Sequence, residues 1–381
     1  MHKRLLVVAR WPLGGIRTYM KYVYLNLPPN YEVTVLAAST HEDEAIRQDI
    51  SATGGKLILF QGKWNYLGFV LGIYRELRRG RYCLIQSHGF ISAIASFPAA
   101  VILGKPHVLT VHGIVEERFI AGSFAFVKKF LLSKVLNSCT VIYAVSNDIL
   151  DHLMMVFPYR LKANSKHVVI HNGIDVERFN PCKVESLGLR QALGCEKNTI
   201  LFGFLGRFMQ QKGFNYLIDS VERLRSEGVT SFCVVAVGSG DYLQYYRQVV
   251  IERRLDDFFY FLPFKSDVAG IYAELDAIVM PSIWEACPLQ PMEALCMGTP
   301  VVASDCIGLR EVVKDTPSLV FESKNSQQLT KLLRQVIMGQ DKQKFSDFAV
   351  EARKRYDVRH TASAFCHLVD ELITSTDHNQ M

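Results

Sequence analysis

The stretch that decides the fold runs Ala277-Ile278-Val279-Met280-Pro281-Ser282-Ile283-Trp284-Glu285-Ala286-Cys287-Pro288-Leu289-Gln290-Pro291-Met292-Glu293-Ala294-Leu295-Cys296-Met297-Gly298-Thr299-Pro300-Val301-Val302-Ala303-Ser304-Asp305. It opens on a short apolar run, Ala277–Met280, that suits a buried strand. The turn Pro281-Ser282 follows. Pro291 fits the first turn of a helix, where its missing N–H is no loss, and that helix reads to Met297. A second apolar run, Pro300–Ala303, completes a strand–helix–strand unit. Two strands joined by a helical crossover lie parallel in one sheet.

The same rhythm extends in both directions. Towards the C-terminus, Ser318–Phe321 is a further strand. Towards the N-terminus, strands are expected at Thr199–Leu205, Phe232–Val237 and Phe258–Leu262, with helices at Phe214–Ser226, Asp241–Arg253 and Asp267–Ala273. Before Asn180-Pro181 the pattern occurs a first time. Its strands are Arg4–Ala9, Glu32–Ala37, Lys56–Phe60, Cys83–Ser87, His107–Thr110, Thr140–Ala144 and His167–Ile170, with helices such as Arg17–Leu27, Leu67–Arg79 and Phe124–Leu136. Two α/β units in series suit 381 residues, more than one ordinary core holds. The expected class is therefore α/β, with two Rossmann-like domains facing across a cleft at the carboxyl ends of their sheets. The first domain is expected over 1–178 and the second over 179–358. The turn-forming stretch from Asn172-Gly173-Ile174-Asp175 to Pro181 links them. The tail from Asp341 reads as helix broken near Tyr356-Asp357, with 359–381 crossing back to the first domain.

Composition excludes several classes. Hydrophobic residues are 49% and charged residues 21%, which is globular rather than disordered. The N-terminal apolar run stops at Arg10-Trp11, too short for a signal peptide. Phe90–Leu103 is shorter than the roughly 20 residues a membrane span needs. The nine cysteines are odd in number and contain no Cys-x-x-Cys, so neither a disulfide framework nor a zinc site is indicated. These features point to a cytoplasmic protein, soluble or peripheral. Charge is uneven. Residues 1–170 hold 20 Lys and Arg against 10 Asp and Glu, whereas residues 171–381 hold 23 against 27. A basic first half implies an anionic partner. Lys128, Lys129 and Lys134 lie among bulky apolar residues, and Trp64-Asn65-Tyr66-Leu67-Gly68-Phe69 leads to Arg75, Arg78, Arg79 and Arg81. Both segments suit an anionic membrane face, or else are core-facing helices with solvated cations. No motif for nucleic acid accompanies them.

Several loops carry chemistry-bearing residues. Gly14-Gly15 follows the first strand, where paired glycines allow either a plain turn or the close approach of a ligand to a helix N-terminus. Arg207 and Lys212 occupy one strand-to-helix loop and read as a pyrophosphate clamp or as two solvated charges. Glu285 and Glu293 are carboxylates on a loop and in a helix's first turn. They can accept hydrogen bonds from sugar hydroxyls, although Glu293 by itself also suits a helix dipole. His88 ends a strand and is a candidate for acceptor binding or a structural histidine. The histidines show no metal-binding spacing. Gly238-Ser239-Gly240 lacks the third glycine of a dinucleotide fingerprint.

Taken together, Glu285-x7-Glu293 and the run to Asp305 resemble the signature of glycosyltransferase family 4, retaining enzymes of the two-domain GT-B fold. Gly14-Gly15, Thr110-Val111-His112-Gly113, Val145-Ser146, Asn172–Asp175, Gly206-Arg207, Lys212-Gly213 and Val237-Gly238-Ser239-Gly240 match the family in order. The resemblance implies a nucleotide-diphosphate-sugar donor, with Gly14, Gly15, Arg207, Lys212, Glu285, Leu289 and Glu293 at the donor. Arg207 and Lys212 are expected to hold the diphosphate, Glu293 the ribose, Glu285 the sugar hydroxyls, and His112 to lie under the transferred sugar. Catalysis is expected from His112, Arg207, Lys212 and Glu285, by front-face attack, with no metal or other cofactor. Ala286 and Cys287 stand where the family often has Gly and Phe. The implied setting is a lipid-linked glycan acceptor in polysaccharide or lipopolysaccharide synthesis on the inner face of the cytoplasmic membrane. A nucleotide-sugar 2-epimerase and a non-catalytic binding protein of the same fold are the alternatives.

Overall fold

The structure, a computed structural model, describes residues 2–61, 66–116, 120–157, 166–265, 267–339 and 342–378. Trp64 and Asn65 of the basic interfacial stretch, and Asp341 at the start of the tail, lie outside the described residues. The chain forms two compact units, Met1–Gly173 with Val358–Met381, and Ile174–Asp357.

In the first unit, strands β1 (Lys3–Ala9), β2 (Tyr31–Ala38), β3 (Lys56–Phe60), β4 (Leu84–His88), β5 (His107–Val111), β6 (Val141–Ala144) and β7 (Lys166–Val169) alternate with helices. These are α1 (Gly15–Leu25), α2 (Asp43–Ala52), α3 (Tyr66–Arg79), α4 (Phe90–Ile102), α5 (Ala125–Ser138) and α6 (Asn147–Val156). All pairings are parallel, in the order β3-β2-β1-β4-β5-β6-β7. Leu5 to Ala9 are all buried, as expected for a strand covered on both faces. The apolar run from Phe90 is α4, a helix that turns Ser92, Ala93, Ala95, Ser96, Ala99 and Ala100 inward. Among the described residues no helix is long and apolar enough to cross a membrane.

The second unit holds β8 (Ile200–Leu205), β9 (Phe232–Val237), β10 (Phe259–Leu262), β11 (Ala277–Met280), β12 (Val301–Ser304) and β13 (Leu319–Phe321). Their order is β10-β9-β8-β11-β12-β13, again parallel. Before, between and after them come α7 (Leu189–Ala192), α8 (Phe214–Ser226), α9 (Leu243–Glu252), α10 (Ala269–Glu274), α11 (Gln290–Met297), α12 (Leu309–Val313), α13 (Ser326–Ile337) and α14 (Lys342–Arg355). A core of phenylalanines, including Phe202, Phe204, Phe208, Phe214 and Phe232, fills one face of this sheet.

Every expected strand is present with ends moved by at most one residue. The division between units falls at Gly173–Ile174 rather than at 178–179. Segment 174–179 packs on the second unit: Ile174 N donates to Tyr356 O at 2.8 Å, and buried Phe179 meets Tyr272 edge-on. The helical tail breaks at Tyr356-Asp357, where the Tyr356 hydroxyl donates to Val312 O at 2.8 Å. The last helix, α15 (Val358–His378), belongs to the first unit. There Asp370 accepts from Tyr31 Oη at 2.6 Å, and Thr361 Oγ1 donates to His171 O at 2.8 Å.

Candidate functional site

In an open parallel sheet, ligands bind beyond the carboxyl ends of the strands, where the strand order reverses. In the second unit that reversal lies between β8 and β11. The loop after β8 carries Gly206, Arg207 and Lys212, and the loop after β11 carries Ser282, Glu285 and Leu289. Both ends of the first loop are anchored. Phe208 and Phe214 are fully buried and meet edge-on with ring centroids 5.3 Å apart. Arg207, just before Phe208, is exposed and makes no hydrogen bond or ion pair among the described residues.

The turn after β9 supports this loop from behind. Gly206 N donates to Val237 O, and Phe208 N to Ser239 O. A Cβ on Gly238 would lie 1.8 Å from Gly206 O. The Gly-x-Gly turn is thus a platform for the Arg207 loop, where only a residue without a side chain permits backbone to lie on backbone.

Lys212 and Glu285, 73 residues apart, form an ion pair of 2.6 Å. Ser282 Oγ also donates to Glu285 Oε1, at 2.7 Å. Glu285 is buried, and burial of a carboxylate is tolerable only with such partners. Its backbone is held as well: Glu285 N donates to Ile307 O, Ile283 N to Gln211 O, and Gln211 Nε2 to Trp284 O. Gly308 completes the support, since a Cβ there would meet Glu285 O at 2.3 Å.

Leu289, partly exposed, is the N-cap of α11, and Glu293 lies in that helix's first turn. Glu293 is buried and accepts from Tyr272 Oη at 2.8 Å. Burial pushes its carboxyl up to about 7, while the Tyr272 bond and the charge of Arg178 pull the other way. Cys287 is buried and Ala286 partly exposed. Among the described residues no three His, Cys, Asp or Glu side chains come together as a possible metal site.

In the first unit the order reverses between β1 and β4. Gly14, at φ 57°, and Gly15 open α1 after β1. A Cβ on either would meet nothing within 4 Å. His88 ends β4, and His112 follows β5. His88 Nδ1 and His112 Nε2 are 2.7 Å apart, and His88 Nε2 lies 2.7 Å from Tyr24 Oη. Both ring nitrogens of His88 are thus occupied within the unit, and the ring is buried. It offers no nitrogen to an acceptor sugar, because α1 covers it. His112 is only partly buried. Ser146 caps α6, accepting from Ile149 N, and Asp175 accepts from Glu177 N in the turn after Asn172-Gly173.

Sequence reasoning missed Ser282, Tyr272, Gln290 and Gly308. In the sequence Ser282 reads only as a turn residue. Tyr272 faces Glu293 from α10, and Gln290 donates to Leu205 O under the Arg207 loop. Nothing in their local spacing announces those partners.

Two family models match the chain in succession: "Glycosyltransferase Family 4" over residues 13–178 and "Glycosyl transferases group 1" over 188–355. An Escherichia coli UDP-Gal:alpha-D-GlcNAc-diphosphoundecaprenol alpha-1,3-galactosyltransferase is 26% identical over 65% of this chain and 64% of its own. The Mycobacterium tuberculosis alpha-maltose-1-phosphate synthase is 30% identical over 62% of this chain and 64% of its own. The match thus spans just under two thirds of these relatives' length. Among solved structures, Anabaena HepE in complex with UDP and glucose superposes with a TM-score of 0.80 at 20% identity, covering 97% of this chain and 100% of that one. WaaG, a glycosyltransferase involved in lipopolysaccharide biosynthesis, gives 0.71 at 14% identity over 96% and 99%. With the two-sheet GT-B architecture and both models in their proper order, the chain belongs to glycosyltransferase family 4.

Proposed function

We propose that this protein is a retaining glycosyltransferase that takes its sugar from a nucleotide-diphosphate sugar. The observation that carries the reading is that Arg207, the Lys212–Glu285 pair and Glu293 all follow β8 and β11, the two strands at the switch point of the second sheet. Among the described residues Arg207 has no partner to give up, and a guanidinium on the same loop as an ammonium group suits a diphosphate, which it binds bidentately. Lys212 carries a carboxylate that can turn to sugar hydroxyls once phosphate takes its share of the ammonium. Glu293 can accept two ribose hydroxyls at the start of α11. In the first unit, glycine at position 15 has no reason in the chain's own packing, which supports close approach of a ligand there. As the diphosphate leaves, Arg207 and Lys212 stabilise the developing charge, the work a divalent metal does elsewhere.

The acceptor reading is a lipid-linked glycan, used at the inner membrane face in cell-surface polysaccharide synthesis. Its support is α5, which exposes Phe124, Phe126, Val127, Phe130 and Leu131 at its start, next to Lys128 and Lys134. The activity named for the E. coli relative, on a diphosphoundecaprenol-linked sugar, agrees.

Transfer from a panel of UDP- and GDP-sugars, in excess EDTA, tests the reading. Turnover should be complete without metal. Arg207→Ala and Lys212→Ala should each lose on the order of 2–4 kcal/mol in kcat/KM. Near-normal kcat/KM in both variants, or activity only with added Mg²⁺ or Mn²⁺, would refute it. Conversion of donor without an acceptor would favour a 2-epimerase.

A further inference from the structure

Beneath α1 a chain of polar side chains runs along one face of the first sheet. Gln86 and His88, two residues apart on β4, point the same way. Thr110 lies beside His88 in register on β5, and His112 follows it. Gln86 Nε2 donates to Thr110 Oγ1 at 2.9 Å, and Tyr24 Oη donates to Gln86 Oε1 at 2.9 Å. Tyr24 Oη also meets His88 Nε2 at 2.7 Å, and His88 Nδ1 meets His112 Nε2 at 2.7 Å. The ring of Tyr19 stands edge-on to both imidazoles, with centroids 5.3 and 5.1 Å away. Tyr24, Gln86, His88 and Thr110 are all buried.

Counting protons gives the chain a direction. A phenol has one hydrogen, and that of Tyr24 goes to Gln86. The Tyr24 oxygen must then accept from His88, which places the His88 proton on Nε2. A neutral imidazole carries one N–H, so His88 Nδ1 is a bare acceptor, and the proton between the rings belongs to His112 Nε2. Burial holds both histidines well below their usual range, so each has a single proton at neutral pH. His112 Nδ1 is left without a proton and meets no hydrogen-bonding partner among the described residues.

We propose that Tyr24, Gln86 and His88 are positioning residues that lock His112 in its Nε2–H tautomer, so that Nδ1 meets a substrate hydroxyl only as an acceptor. The inference rests on His112 lying at the transferred sugar, and it gives buried His88 a role other than acceptor binding. A hydroxyl in that place has to donate, which fixes the orientation of its own lone pairs. With the opposite tautomer the same ring would present an N–H and demand an acceptor. The second-neighbour groups of a catalytic histidine commonly set its tautomer in this way.

The test is the ¹⁵N spectrum of the full chain labelled at histidine, with the His88 and His112 signals assigned from His88→Gln and His112→Gln. At pH 7.5 the His112 signals should be those of a neutral ring protonated at Nε2, a result that needs no further variant. Tyr24→Phe removes only the hydroxyl. It should populate the second His112 tautomer and lower kcat about tenfold, with KM for the nucleotide sugar within about twofold and an unchanged circular dichroism spectrum. A wild-type His112 protonated at Nδ1, or a Tyr24→Phe spectrum still wholly Nε2–H, would overturn the proposal. If His112→Gln transfers sugar at the normal rate, the placement of His112 at the sugar fails, while the tautomer measurement still decides the relay.

Discussion

The carboxyl group of Glu293 should couple donor binding to pH. Its ordinary value near 4.5 is pushed up to about 7 by burial, with Tyr272 as its hydrogen-bonding neighbour. Between those values the folded chain holds a proton that the unfolded chain has released. Stability from this group is therefore greatest below pH 4.5 and falls as pH rises towards 7. At about 1.4 kcal/mol per pKa unit, the loss is up to about 3 kcal/mol. Glu293→Gln keeps an oxygen for Tyr272 and removes the titration. The variant should therefore be more stable than wild type at pH 8, by up to about 3 kcal/mol, with most of the advantage gone at pH 5. Binding should show the reverse side of the same coupling. If ribose hydroxyls need the ionised carboxylate, a group titrating at 7 is about nine-tenths ionised at pH 8 and one-tenth at pH 6, so affinity should fall about tenfold between them. Titration calorimetry with a nucleotide sugar, whose diphosphate diester does not titrate in this range, should find nearly one proton released per ligand at pH 6 in buffers of different ionisation enthalpy. Affinity independent of pH from 6 to 8 with no proton release, or no stability gain in Glu293→Gln at pH 8, would refute the reasoning.

Three further expectations follow from particular contacts. Glu285→Gln keeps an acceptor for Ser282 but removes the charge facing Lys212, and should lower kcat strongly in a folded protein. An effect confined to KM would contradict its place at the transferred sugar. Gly15→Ala should melt like wild type yet use donor poorly, whereas Gly238→Ala, whose Cβ would clash with Gly206 O, should lower the melting temperature outright. Equal melting losses in the two would overturn the distinction. Liposome co-sedimentation should require anionic lipid, fade at high salt and weaken when Lys128, Lys129 and Lys134 are changed to Glu, each exposed cation being worth about 1 kcal/mol near such a surface. Equal binding to neutral vesicles would mean that the basic face serves a soluble anion.

Much of the architecture is legible in the linear chain. Buried parallel strands are continuous apolar runs, and Pro and Gly mark where they end. The positions of β1 to β13, the second α/β unit and the broken tail helix all follow from that local pattern. So do the loops that carry Arg207, Lys212, Glu285 and Glu293, because residues at a strand's end are read from the strand. Periodicity reports which faces are buried, but not which strand lies beside which. The reversals between β1 and β4 and between β8 and β11 are therefore properties of the tertiary fold alone. The same holds for the union of Lys212 with Glu285, for Tyr272 over Glu293, and for the glycine platform under the Arg207 loop. His88 marks the limit most clearly. From the sequence it is equally a ligand for the acceptor or a structural residue. Only the fold brings Tyr24 and His112 to its two nitrogens, because hydrogen bonds between residues 24 and 64 positions apart depend on how helices and strands pack, and no local pattern encodes that packing.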